Sequence, residues 1–270
     1  MREVTFGKYY PSNAFVHKCD PRVKLLGLIV YIVAIFLAKN LYALGVCALV
    51  FFIMAFASKV PLKSVFASVK GVLFLLAFTA ILNLFFYQGE TVWWEWQFIC
   101  ITCEAVYFTI FLAVRLFLLV LSSSLLTLTT TPVALTDGVE SLLSPLKLIH
   151  FPVHELALIM AIALPFIPTL MDETTRIMNA QKARGADFES GGVVKRVKAV
   201  LPILIPLIIS AFRRAEELGD AMDARCYAGS KVRTKYKKLT LTWRDLIAAI
   251  LLLGLLAGVI LLKIYTPAIL

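Results

Sequence analysis

Few side chains in this chain are spaced for bond-making chemistry. Cys100 and Cys103 have the C-x-x-C spacing of a redox pair, but no βαβ pattern surrounds them and they read as incidental thiols. His150 and His154 lie four apart with Pro152 between them and no third ligand nearby, so they do not read as a metal site. Ser122, Ser123 and Ser124 have no His/Asp partner that would make one of them a nucleophile, and suit hydrogen bonding inside a helix bundle. Gly229-Ser230-Lys231 lacks the upstream glycine of a Gly-x-x-x-x-Gly-Lys-Ser/Thr phosphate loop, so the chain does not bind ATP by that device. With no catalytic constellation, the chain reads as a non-enzyme.

The regularly spaced residues are arginines. Ala183-Arg184-Gly185 and Ala224-Arg225-Cys226 stand at an offset of 41 residues, and at the same offset Pro165 aligns with Pro206 and Ala180 with Ala221. Each proline lies 19 residues before its arginine, about 28 Å along an ideal helix. A pair of similar helices, each presenting an Arg to a paired partner, competes here with chance alignment of helix-friendly residues. Arg115 is the third notable arginine, because it falls within an apolar run where a charge is costly. It reads first as a buried structural pair, with a polar group such as Asn83, and second as a contact to a partner subunit or substrate path.

The elements that position these residues follow from composition. Of the 270 residues 60% are hydrophobic and only 16% charged, against about 45–50% and about 25% in soluble domains. The surplus apolar surface requires lipid, and the fold class is an all-α integral membrane protein. Apolar runs predict spans at 24–38, 41–57, 71–87, 105–129 and 246–262, the first two joined by a turn at Lys39-Asn40. The first 24 residues hold no apolar signal-peptide core. The five cysteines do not make a disulfide framework.

Charge orients the spans. The segment 132–242 carries fifteen Lys/Arg, the opening stretch carries Arg2, Lys8, Lys18, Arg22 and Lys24, and the 58–70 loop carries Lys59, Lys63 and Lys70. The loop from Gln88 to Glu104 carries none, and holds Trp93, Trp94 and Trp96, which suit a membrane–water interface. The positive-inside rule then places the N-terminus and 132–242 in the cytoplasm and the C-terminus outside. Three regions result: 1–131 with four spans, 132–242 as a cytoplasmic segment, and 243–270 with the last span. Within the second, Leu156–Met171 and Val200–Phe212 are apolar and run into charged helical patterns, which predicts two long helices, apolar at one end and charged at the other. Lys231, Arg233, Lys235, Lys237 and Lys238 suit topogenesis and anionic lipid. No aromatic platform accompanies them, which argues against nucleic acid.

Several segments carry a family resemblance. Gly7-Lys8-Tyr9-Tyr10-Pro11, the run from His17 to Leu26, Leu135-Thr136-Asp137-Gly138-Val139-Glu140, and above all Ala183-Arg184-Gly185-Ala186-Asp187-Phe188 with Ala221-Met222-Asp223-Ala224-Arg225-Cys226-Tyr227 resemble the transmembrane T components of energy-coupling factor transporters, the CbiQ/EcfT family. The resemblance covers residues 5–230. It implies a scaffold that couples two ABC-type ATPase subunits (EcfA and EcfA′) to a membrane substrate-binding S component for micronutrient uptake, of the shared vitamin type. It implies crossed coupling helices whose arginines, here Arg184 and Arg225, dock in grooves of the ATPases, with Ala183, Gly185, Ala224 and Cys226 beside them. Arg suits such a socket because its rigid fork engages carboxylates and carbonyls bidentately, and the small alanines allow close approach. Cys226 stands where the motif usually has glycine. ATP and Mg would sit on the partner ATPases, with no cofactor on this chain. A dedicated cobalt or nickel permease subunit is the rival within the family. A secondary transporter is the rival outside it, and for that role no acid pairs with Arg115 inside a span.

Overall fold

The computed structural model describes residues 9–12, 14–86, 92–96, 99–145, 152–186, 192–227 and 242–265. Gly7-Lys8, His150, Asp187-Phe188, Gly191 and the 231–238 basic stretch lie outside the described residues. Nine α-helices are present among the described residues: α1 Pro21–Leu37, α2 Leu41–Ala57, α3 Leu62–Val69, α4 Leu73–Phe86, α5 Cys103–Thr129, α6 Pro132–Leu142, α7 Val153–Ala183, α8 Val193–Ala224 and α9 Trp243–Tyr265. All the expected spans are helices. The loop between the third and fourth is more ordered than the sequence suggested: β1 Val92–Trp96 and β2 Ile99–Thr102 pair as an antiparallel hairpin.

Helices α5, α7 (from Glu155) and α9 are long and apolar enough to cross a membrane, and α3 with α4 would make a fourth span bent by 56°. Helices α1 and α2 are 17 residues each, about 25 Å, which is short for a full crossing. Their ends are set by local chemistry. Asp20 caps α1, its side chain accepting from the Arg22 N–H at 2.9 Å, with Pro21 in the first turn where a missing N–H costs nothing. Thr102 and Thr131 cap α5 and α6 in the same way.

Two compact units divide the chain. One contains α1 to α6 and α9; the other contains α7 and α8. In the first, α9 packs against α1 and α2, α5 packs against α1 to α4, and α6 lies on α1. The core runs through Tyr31, Ile35, Leu44, Cys47, Phe51, Phe111, Leu121 and Val259. Gly27 permits the close α1–α9 approach, since a Cβ there would stand 2.7 Å from Leu252 Cδ1. Tyr31 donates to the Cys47 carbonyl at 3.0 Å and ties α1 to α2. In the second unit, Val153 and Ile203 are the buried hydrophobics among the described residues, whereas Ile159, Ile205, Ile209 and Phe212 are exposed.

Candidate functional site

Both arginine motifs are the C-terminal caps of long helices, and the two caps share one geometry. At the end of α7, Arg184 is the capping residue and Gly185 turns left-handed at φ 89°. The Ala186 N–H bonds back to the Gln181 carbonyl at 3.0 Å, and the Gly185 N–H to the Lys182 carbonyl at 3.0 Å. At the end of α8, Arg225 caps, Cys226 turns left-handed at φ 54°, the Tyr227 N–H bonds to the Met222 carbonyl at 3.1 Å, and the Cys226 N–H to the Asp223 carbonyl at 2.9 Å. This pair of bonds is the Schellman arrangement, which satisfies the last carbonyls of a helix and favours glycine at the left-handed position. The third residue of each motif is therefore a backbone requirement: Gly185 meets it freely, and Cys226 meets it at the cost that an L side chain carries there. Ala183, Arg184, Gly185, Ala224, Arg225 and Cys226 are all exposed.

Despite internal prolines at 165, 168, 202 and 206, α7 and α8 are continuous over 31 and 32 residues. They meet at an ion pair, Arg214 Nη2 to Glu173 Oε2 at 2.9 Å. A side-by-side hairpin with its turn centred near position 189 would set Glu173 against Ile205. Contact with Arg214 instead, with few other close approaches between two helices this long, fits helices that cross. Glu173 and Arg214 are 41 residues apart, the offset that also relates the two motifs.

Arg115 belongs to the other unit, that of the spans. Its Nη2 donates to the Ala38 carbonyl at 2.6 Å, and its guanidinium lies 4.5 Å from the Phe111 ring centroid and 5.9 Å from that of Phe36. Ala38 is the C-cap of α1. Arg115 thus closes that helix end, where a cation complements the macrodipole, and its aromatic neighbours add cation–π attraction. Asn83, the suggested partner, bonds instead to the Thr79 carbonyl in its own helix at 2.8 Å.

A polar clasp in the same unit escaped the sequence reading. Lys24 Nζ donates to the carbonyls of Thr129 (3.1 Å) and His17 (3.3 Å) and to Thr130 Oγ1 (3.2 Å), holding α1 to the end of α5. Asp245, 2% exposed, accepts from the Asp20 N–H and from the Thr242 N–H, each at 2.7 Å. The second of these bonds is one half of a capping box at the start of α9, which the Thr242-x-x-Asp245 spacing announces. Burial pushes the neighbouring Cys19 thiol up, and Asp245 adds to the effect, so this thiol stays protonated. Among the described residues no three His, Cys, Asp or Glu side chains gather as a metal would require.

The chain matches known proteins over most of its length. The CbiQ family, described as cobalt transport protein, matches residues 12–236. Similar curated proteins carry the name energy-coupling factor transporter transmembrane protein EcfT. That of Ruminiclostridium cellulolyticum is 47% identical, covering 97% of this chain and 98% of its own length. Those of Brevibacillus brevis and Acidaminococcus fermentans are 48% and 44% identical, covering 93% and 99% of this chain and 94% and 100% of their own. Fold and similarity agree: the chain belongs to the CbiQ/EcfT family, as a transmembrane component of energy-coupling factor transporters.

Proposed function

We propose that this chain is the non-catalytic coupling subunit of an ATP-driven importer. Its two capped helix ends dock two ABC-type ATPase subunits, and it passes their movement to a membrane S component that selects the micronutrient. The observation that carries the proposal is the identity of the caps. Two helices end in the same exposed Ala-Arg-(left-handed) geometry, each arginine 11 residues beyond the ion pair where the helices meet. A paired surface of this kind suits two similar partners. ATP and Mg belong to those partners, since the chain has no phosphate loop.

The Lys/Arg asymmetry supports a cytoplasmic N-terminus, cytoplasmic motif ends and an extracellular C-terminus. The resemblance of the Ala224-Arg225-Cys226 motif favours shared, vitamin-type uptake, while the cobalt name of the matching family keeps a metal-ion cargo as the second reading. The test is charge reversal in the assembled transporter. Arg184→Glu or Arg225→Glu should lower co-purification of the ATPase subunits and abolish uptake while the chain remains inserted. Losing one partner of a buried charged contact costs about 2–5 kcal/mol, and Lys, without the fork, should rescue poorly. Uptake is read with radiolabelled biotin, riboflavin, folate and cobalt ion tried in turn on wild-type cells, and the probe that is carried is kept. A double reversal retaining both ATPase subunits and full uptake would show these residues to be misassigned.

A further inference from the structure

Glu173 and Arg214 are separated by 41 residues, and so are Arg184 and Arg225, Ala183 and Ala224, and Pro165 and Pro206. A two-fold operation exchanging α7 and α8 would map each residue of the first onto the residue 41 later in the second. Under a two-fold, equivalent residues touch each other only at the axis. The Glu173–Arg214 contact, at 2.9 Å, therefore marks the point about which the two arms are related. The charges carry the same message. A strictly repeated sequence would set two glutamates or two arginines against each other there, and like charges in contact repel. At this position the repeat is broken into opposite charges, so complementarity replaces identity where the helices meet. The pair is also partly withdrawn from water, with the side chains of Arg214 and Glu173 34% and 23% exposed, which reduces screening.

We infer that Glu173 and Arg214 form the pivot of a two-armed lever, a positioning pair that fixes the crossing of α7 and α8 so that displacement at either capped end reaches the rest of the transporter. The inference rests on the docking role of Arg184 and Arg225. It assigns the pair no part in docking, since each arginine lies 11 residues beyond it, about 16 Å along a helix. Rigid elements that rock about a fixed contact are a recurrent means of passing motion between sites.

The experiment uses the whole transporter with its ATPase subunits and the radiolabelled probe that wild-type cells carry. Glu173→Arg and Arg214→Glu should each lower uptake about tenfold or more, because each places like charges at the crossing. The ATPase subunits should co-purify as in wild type, and ATP hydrolysed per probe carried should rise. The exchange E173R with R214E restores opposite charges and should bring uptake back to within about threefold of wild type, the residue left by a swapped geometry. Glu173→Gln, which adds no repulsion, should show a smaller loss at normal expression. Unchanged uptake in the single variants would overturn the inference. So would an exchange variant as inactive, or as poorly inserted, as the singles, or loss of the ATPase subunits from the singles. Failure of the docking role shows separately, as Arg184→Glu and Arg225→Glu proteins that keep their ATPase subunits whatever the exchange variant does.

Discussion

The unit of spans and the unit of crossed helices are built on opposite economies of contact. In the first, several charged side chains find partners inside the unit: Lys24 reaches three acceptors, Asp245 two backbone donors, and Arg115 a helix-end carbonyl. Its core draws on six of its helices. In the second, Val153 and Ile203 are the buried hydrophobics among the described residues, and an ion pair joins the two helices. The difference teaches where to look for function. A region with a buried core answers to stability, and a region of long helices with almost none answers to partners and lipid.

Substitutions in the first unit should therefore cost folding, and substitutions in the second should cost function. The largest stability effect is expected at Asp245. Asp245→Ala leaves the buried Asp20 N–H without its acceptor, which costs about 1–3 kcal/mol, and removes the part-buried cap bond from the Thr242 N–H. Thermal unfolding of the purified protein in detergent should show the loss, and an unchanged midpoint would mean that the clasp is not a support. The two caps come next and should respond in opposite directions. Cys226→Gly relieves a left-handed side chain and should stabilise the end of α8 by about 1 kcal/mol. Gly185→Ala imposes the same strain on α7 and should destabilise its end by about as much. Amide exchange at Tyr227 and Ala186 reports each end directly. Equal responses of the same sign would break the equivalence of the caps.

Smaller effects sharpen the contrast. Glu173→Ala should change the unfolding midpoint little, because a partly exposed ion pair contributes at most about 1 kcal/mol, even where uptake falls. Tyr31→Phe removes one hydrogen bond between spans and should cost about 0.6 kcal/mol. A greater loss of stability at Glu173 than at Asp245 would reverse the comparison.

Much of this was legible in the residues. Apolar run length located the helices α1, α2, α4, α5 and α9, because lipid demands an apolar helix wherever the chain crosses; it read α7 as part of the cytoplasmic segment, although that helix too is long and apolar enough to cross. The paired motifs announced two helix ends, since glycine after a charged helical run is the signal of a left-handed cap. What stayed hidden depended on the third dimension. Arg115 meets the Ala38 carbonyl from a helix 77 positions away, and backbone acceptors leave no mark in sequence. Glu173 and Arg214 escaped because a search for repeats looks for likeness, and at the crossing the structure needs opposites. Asp245 was a missed opportunity: Thr242-x-x-Asp245 is a readable cap, overshadowed by the apolar run that follows it.

The central claim is that the two capped ends contact two ATPase subunits. Site-specific photo-crosslinking in the intact transporter tests it most directly, with a benzophenone amino acid placed in turn at Ala183, Ala224 and, as a control in the unit of spans, Tyr107. The account predicts that the probes at Ala183 and Ala224 each capture an ATPase subunit and that the probe at Tyr107 captures none. Capture at Tyr107 with none at Ala183 and Ala224 would contradict it.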